Sequence, residues 1–307
     1  MKIVHVSNYY PGVHDHVGGA EQACRRTVLL SLSRGYDMCV ATTRWDHSPE
    51  PQLSAGERVE ALPRCEQGLP QRVRTYAEAV KWYSVQRDPL AARAFRRLIE
   101  RERPDVVHFH NFQFLTFDLL REAKRAGAAT CLSIYDYWVF CPKAQLLRPD
   151  KTFCEDAHGE QCMDCLPAQF RSVQRALLRR RRGAFDEAFE LVDRFVVLSE
   201  HSAVVLENYG IPNERISIVP LSLPLDYEDA GGAETPELEH PALLFAGWLN
   251  DRKGVHVAIE AMPRILDRFP EAVLYVVGGR AKFAEEYEHA YERFIANNGL
   301  SDRIRFL

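Results

Sequence analysis

Short apolar, β-branched runs alternate with helix-length amphipathic stretches along this chain. Lys2 to Ser7 reads as a buried strand, followed by a long loop holding Pro11 and Gly12. Gly18-Gly19-Ala20-Glu21 opens a helix that runs to about Ser33, Gly35 ends it, and Met38 to Thr42 forms the next strand. Asp105 to Phe109 and Thr130 to Ile134 are further buried strands with a helix, Phe114 to Ala126, between them. Arg194 to Leu198 and Ile216 to Val219 continue the series. Apolar runs of this length separated by helices predict a parallel sheet covered on both faces, a doubly wound α/β domain.

The pattern stops and restarts. Asp226 to Pro241 is rich in Glu, Gly and Pro, lacks periodicity and suits a linker. A second βα series follows, with strands at Ala242 to Ala246 and Ala272 to Val277 and helices over Lys253 to Arg268 and up to Asn298. This divides the chain into a domain over 1–225, a linker over 226–241 and a second domain from 242 to 307. The last residues, Ile304 to Leu307, read as the start of a strand with no closing helix. The second domain is therefore expected to be incomplete, and the chain alone to be inactive or nearly so.

Length and composition agree with this picture. A chain of 307 residues suits two domains, and 46% hydrophobic with 27% charged residues is globular. The net charge of −4 gives no support to nucleic-acid binding. No apolar run reaches the ~18 residues of a membrane span, and the N-terminus turns polar too early for a signal peptide. Eight cysteines are too few for a disulfide scaffold. The expectation is a cytoplasmic protein with reduced thiols.

Several segments, in order, resemble family-4 glycosyltransferases of the GT-B fold. They are Ser7-Asn8-Tyr9-Tyr10-Pro11 with Gly18-Gly19-Ala20-Glu21, then Pro104 to Asn111, Tyr135-Asp136-Tyr137-Trp138 with Cys141-Pro142, and Val197-Leu198-Ser199. In the second series, Phe245-Ala246-Gly247-Trp248-Leu249 with Arg252-Lys253-Gly254 is similar to the family's donor-phosphate motif, and Leu274 to Gly279 to the strand and glycine turn after it. The resemblance implies two Rossmann-like domains, the second cut short. It also implies a retaining transferase, with a nucleotide-diphosphate sugar held mainly by the second domain and a glycan or lipid-linked saccharide acceptor by the first. No catalytic divalent metal is implied. The chain departs from the family at Trp248, where an arginine is common, and at Tyr135, where a histidine is usual. The carboxylate pair that meets the donor would fall after Leu307. An epimerase of the same architecture, or a non-catalytic nucleotide-binding or zinc-stapled module, are the alternative functions.

Individual residues carry the chemistry. Gly18 and Gly19, at a helix start after the first strand, read either as a tight turn or as a cradle for phosphate. Gly247, Arg252, Lys253 and Gly254 sit at a loop-to-helix step where cations would steady a departing diphosphate. His108 and His110 fall on one face at a strand end beside Asn111, as structural cleft-edge histidines or as a metal pair lacking a third ligand. Tyr135 suits hydrogen bonding to a sugar. Asp136 could accept from an acceptor hydroxyl or cap a turn. In front-face transfer the leaving phosphate can take the acceptor proton, so no protein base is required.

Two further groups stand apart. Cys141, Cys154, Cys162 and Cys165 lie in a loop rich in Pro, Asp and Gly, and fit a structural zinc site with His158 as a replacement ligand, an iron–sulfur cluster, or free thiols. Cys24, Cys39 and Cys131 read as core residues, and Cys65 has no evident role. Arg171, Arg175, Arg179 and Arg182 share one helix face, with Arg180 and Arg181 adding to a locally basic segment. That face is either simply solvated or a peripheral contact for anionic lipid at the inner membrane surface.

Overall fold

Every strand of the first sheet runs parallel, in the order β3-β2-β1-β4-β5-β6-β7. The strands are β1 (Lys2–Ser7), β2 (Asp37–Thr43), β3 (Val59–Leu62), β4 (Val106–Phe109), β5 (Ala129–Ile134), β6 (Arg194–Val197) and β7 (Ile216–Ile218). The computed structural model describes residues 1–15, 17–44, 53, 56–83, 87–150, 152–156, 158–166, 171–221, 241–249, 253–279 and 285–307. The chain forms two compact units, Met1–Tyr227 and Glu228–Leu307. The linker expected over 226–241 lies, except for Pro241, outside the described residues.

Among the described residues, six helices accompany the first sheet: α1 (Gly19–Ser33), α2 (Gln71–Tyr83), α3 (Pro89–Glu102), α4 (Asp118–Arg125), α5 (Arg171–Glu190) and α6 (Glu200–Asn208). The central strands bury nearly every side chain, as a sheet covered on both faces must. Val4, Val6, Val107, Phe109, Leu132, Phe195 and Val197 belong to one continuous core. The strand order turns back on itself between β1 and β4. In open α/β sheets that reversal leaves a crevice at the carboxyl ends of the strands, where ligands bind.

The segment from 44 to 104 contributes β3, α2 and α3, none of which was anticipated. Helix α3 has clear local causes. Asp88 Oδ1 accepts from the N–H groups of Leu90 and Ala91, each at 3.1 Å, Pro89 follows the cap, and Arg103 closes the helix in the left-handed region. Asp88 also takes the Cys65 backbone N–H at 3.0 Å and its thiol at 3.0 Å, which gives that cysteine a structural role. The helix expected from Phe114 begins only at Asp118. Leu115 and Thr116 both donate to the Phe112 carbonyl, and Thr116 adopts a positive φ of 68°, so a tight turn occupies the start of that stretch.

The second unit holds a three-stranded parallel sheet, β10-β9-β8, from β8 (Ala242–Ala246), β9 (Val273–Val277) and β10 (Ile304–Phe306). Helices α7 (Val255–Arg268) and α8 (Glu285–Asn297) accompany it. Val255, Ile259 and Met262 of α7 pack with Leu274 and Val276 of β9. Among the described residues, no helix is long and apolar enough to cross a membrane.

The locally basic segment of α5 divides between solvent and core. Arg181, counted toward that basic segment, is buried and adds no surface charge. Its Nη2 donates to the Trp138 carbonyl at 2.8 Å, its Nε to His158 Nδ1 at 3.1 Å, and the guanidinium stands 4.3 Å from the centre of the Phe185 ring. Arg175 and Arg179 remain exposed, but both pair with Glu160 of the cysteine-rich loop. Replacing Arg181 with Ala strips two buried acceptors of their donor and should cost about 3 kcal/mol of stability. Replacing its exposed neighbour Arg180 should change stability by no more than about 0.5 kcal/mol. Denaturant unfolding of the two variants checks the contrast.

Candidate active site

Asn8 ties together the carboxyl ends of the central strands. It follows β1 directly, and its carbonyl accepts from Thr42 Oγ1 at 3.1 Å and from Thr43 Oγ1 on β2. Its backbone N–H donates to the Asn111 carbonyl at 2.5 Å, just past β4. Its side-chain Oδ1 accepts from the Phe114 N–H at 2.9 Å. Asn8 is buried, and one residue thus fixes the separation of three strand ends and the entry to the turn before α4.

Beside it the expected pair of histidines becomes a trio. His5 on β1 stands directly opposite His108 on β4, and His110 lies just beyond on the same face. Their ligand atoms all lie within 4.8 Å of one another, so the third member that the sequence did not reveal is His5. The rings are nevertheless engaged with each other. His5 Nδ1 meets His110 Nε2 at 2.9 Å, His110 Nδ1 meets the Tyr135 hydroxyl at 2.8 Å, and His108 Nε2 meets Ser133 Oγ at 2.8 Å. Tyr135 stacks on His110 with an interplanar angle of 7°.

The remaining nitrogen of His5, Nε2, is buried without a hydrogen-bond partner. A buried lone pair lacking a donor is tolerated better than a buried N–H lacking an acceptor. This assigns the His5 proton to Nδ1, where it is donated to His110. His110 then carries its own proton on Nδ1 and donates it to Tyr135. The tyrosine hydroxyl is left as a donor to whatever faces it, with Ser133 within reach. Burial holds all three imidazoles neutral: His5 and His110 titrate well below the ordinary 6.5, and His108 is lowered to about 4. Burial also raises the Tyr135 phenol far above its ordinary value, which removes it as a base.

Gly18 and Gly19 stand at the start of α1. Gly18 donates its backbone N–H to the Glu21 carboxylate at 2.9 Å, and a Cβ on Gly18 would come within 3.0 Å of the same oxygen. Gly19 is exposed, with open space where a side chain would be. Glu21 is buried, and burial raises its pKa, with the charge of Asp136 adding to the shift. The glycine turn and the Tyr135-Asp136 segment therefore share a neighbourhood. Glu21, quoted in the motif but not singled out, is the residue that joins them. Asp136 caps the turn ahead of it by accepting from the Trp138 N–H at 2.9 Å.

In the second unit, Gly247 follows β8 and its N–H donates to the Val277 carbonyl at 2.9 Å. A Cβ on Gly278 would lie 1.8 Å from the Gly247 carbonyl oxygen, so only glycine fits there. A Cβ on Gly247 would lie 3.8 Å from Lys253 Cγ, which places that lysine beside the glycine turn. Gly254 adopts a left-handed φ of 78° and opens α7, with its carbonyl accepting from Val257 and Ala258. The first turn of α7 carries no acidic residue. Arg252 lies outside the described residues.

All four loop cysteines line one cavity of about 320 Å³. They do not form a three-ligand group as tight as that of the histidines. The Cys162 thiol is pushed up to about 11, by burial first, with Cys141 and Cys154 close enough to add. His158 is not a replacement ligand. It does not line that cavity; it lies against Phe185 at 4.4 Å with Nδ1 occupied by Arg181.

The neutral histidine trio makes a testable contribution to the pH dependence of stability. Between 6.5 and the lowered folded values, the unfolded chain binds more protons than the folded one, so stability falls as pH falls through that window. Each such proton contributes about 1.4 kcal/mol per pH unit. His108→Gln should flatten unfolding free energy between pH 6 and pH 4.5 by about one proton's slope, as measured by denaturant titration at each pH.

Comparison with known proteins agrees with this geometry. Residues 17–227 match the model of Glycosyltransferase Family 4, and residues 232–307 match that of Glycosyl transferases group 1. The crystal structure of Anabaena Alr3699/HepE in complex with UDP is similar, at 14% identity and a TM-score of 0.61 over all of this chain and 69% of that one. A glycosyltransferase from Rickettsia africae gives 14% identity and a TM-score of 0.58, over all of this chain and 67% of that one. A stretch of 61 residues is 39% identical to Bacillus subtilis YtcC, provisionally named a glycosyltransferase; it spans 20% of this chain and 15% of that relative's length. At such identities the solved structures establish a shared GT-B fold, and the chain belongs to glycosyltransferase family 4.

Proposed function

We propose that the protein transfers a hexose from a nucleotide-diphosphate sugar to a glycan or lipid-linked saccharide, with retention at the anomeric carbon. The observation that carries this reading is the second unit's glycine turn. Gly278 and Gly247 bring two strand ends together at a separation no side chain allows, and Lys253 with Gly254 stands beside them at the start of a helix. That arrangement suits a diphosphate: backbone N–H groups and a fixed cation meet the charge that develops on the leaving oxygen. The complexes of HepE with UDP and with UDP-glucose make a uridine diphosphate hexose the first donor to test.

In the proposed reaction the bond from the anomeric carbon to the diphosphate oxygen breaks, and a bond from the acceptor oxygen forms on the same face. The acceptor proton passes to the leaving phosphate oxygen. Lys253 balances the charge left on the diphosphate, with Arg252 alongside it. In the first unit, Tyr135, oriented by His110 and His5, donates a hydrogen bond to a sugar hydroxyl, with Asp136 and Asn111 beside it. No divalent metal takes part. Peripheral attachment to an anionic membrane through Arg171 and Arg182 remains part of the proposal. Pairing of Arg175 and Arg179 with Glu160 reduces the charge available for it.

Incubation of a full-length version with radiolabelled nucleotide hexoses and a panel of saccharide acceptors tests the reading, and the variants below are made in that version. Label in the acceptor supports it; an epimerised donor with no transfer overturns it. Lys253→Ala should lower kcat by about a hundredfold through loss of charge stabilisation. Tyr135→Phe should lower kcat/KM by about tenfold, as one removed hydrogen bond predicts. Steady-state kinetics at saturating donor separate the two effects.

A further inference from the structure

The loop between β5 and α5 carries a cluster that the proposed transfer chemistry does not use. Among the described residues its regular structure is limited to one short 3-10 turn, Glu160–Asp164, and a single antiparallel bridge between Leu147 and Phe153. A loop of this length needs something to hold it. Its two ends have anchors: Trp138, Val139 and Phe140 are buried at the start, and Met163 and Leu166 pack on Leu178 of α5 near the end. Between them Leu146 reaches the main core with Cys141, Ala144 and Cys154 against it, and the same stretch surrounds a cavity of about 320 Å³.

Cys141, Cys154, Cys162 and Cys165 all open on that cavity, and each is held by its own backbone. Cys141 donates its N–H to the Tyr137 carbonyl, Cys154 to Leu146, Cys162 to Gly159 and Cys165 to Cys162, at 2.8 to 3.1 Å. The Tyr209 hydroxyl adds a bond to the Cys154 carbonyl at 3.0 Å. Four thiols, none paired in a disulfide, are thus presented to one space by three separately fixed stretches of chain.

We propose that this cavity is a structural zinc site with Cys141, Cys154, Cys162 and Cys165 as its four ligands. Soft thiolates bind zinc tetrahedrally at about 2.3 Å, and four protein ligands leave no open position for catalysis. Binding releases one proton from each thiol to solvent and draws the sulfurs inward, closing the loop around the ion. The resulting cluster carries net negative charge; Lys143 and Arg148 line the same cavity, together with Asp150, Asp156 and Asp164, and Arg148 is paired with Asp156 at 2.9 Å. The site rests on the loop alone and is independent of the transfer reading.

The test is metal analysis of the purified protein expressed with zinc supplied. About one zinc per chain is expected. Cys141, Cys154, Cys162 and Cys165 should resist alkylation until a chelator strips the metal. Cobalt(II) exchanged into the site should show the intense ligand-field bands of tetrahedral thiolate coordination. Cys162→Ser with Cys165→Ser should lose the metal; circular dichroism shows whether that variant folds, and the unmodified protein's metal content and alkylation decide the question if it does not. Zinc below about a fifth of an equivalent, with all four thiols alkylated freely, overturns the proposal. Iron with acid-labile sulfide in place of zinc overturns it as well.

Discussion

The pairing of β1 with β4 is the constraint on which the first unit depends. It places strands from distant parts of the sequence side by side at the point where strand order reverses, and so creates the crevice at their carboxyl ends. His5 and His108 are in register across that pair, and Asn8 continues the connection past the last ladder bond. Because Asn8 holds Thr42, Thr43, Asn111 and Phe114 at once, the ends of β1, β2 and β4 cannot shift apart without breaking a hydrogen bond to it. The crevice is therefore set by the sheet itself and not by flexible loops.

The same packing decides the chemistry available there. Three imidazoles gathered in a buried space cannot all be charged, and each one's own burial keeps it neutral. What remains is a directional chain of neutral hydrogen bonds from His5 through His110 to Tyr135. Such a chain orients a hydroxyl without supplying a base, which matches a reaction whose leaving group removes the acceptor proton.

The alternation of strand and helix, the parallel sheet and the order of motifs were legible in the sequence, because period and glycine placement are local signals. What escaped was set by tertiary contact. His5 looks like any residue of a β-branched strand; only its register opposite His108 makes it the third member of the trio. Arg181 is indistinguishable in sequence from Arg180, yet one faces Phe185 in the core and the other faces water. The late start of α4 depends on Asn8 capturing the Phe114 N–H from more than a hundred residues away, and no helical periodicity can report that. His158 lay close to the cysteines in sequence but was claimed by the buried arginine.

Both units begin a helix at a glycine after a parallel strand, yet the two helix ends are not equivalent. At α1 the chain supplies its own anion, since Glu21 lies in the first turn and accepts the Gly18 N–H. At α7 no acidic side chain lies in the first turn, and a lysine stands immediately before the glycine cap. A cation at a helix N-terminus opposes the dipole unless an anion joins it, whereas a carboxylate there satisfies it. By that electrostatic comparison the first glycine turn carries its own carboxylate, and the second presents a lysine ahead of its cap. This difference between the two helix starts supports the proposed division of labour, acceptor on the first unit and donor on the second.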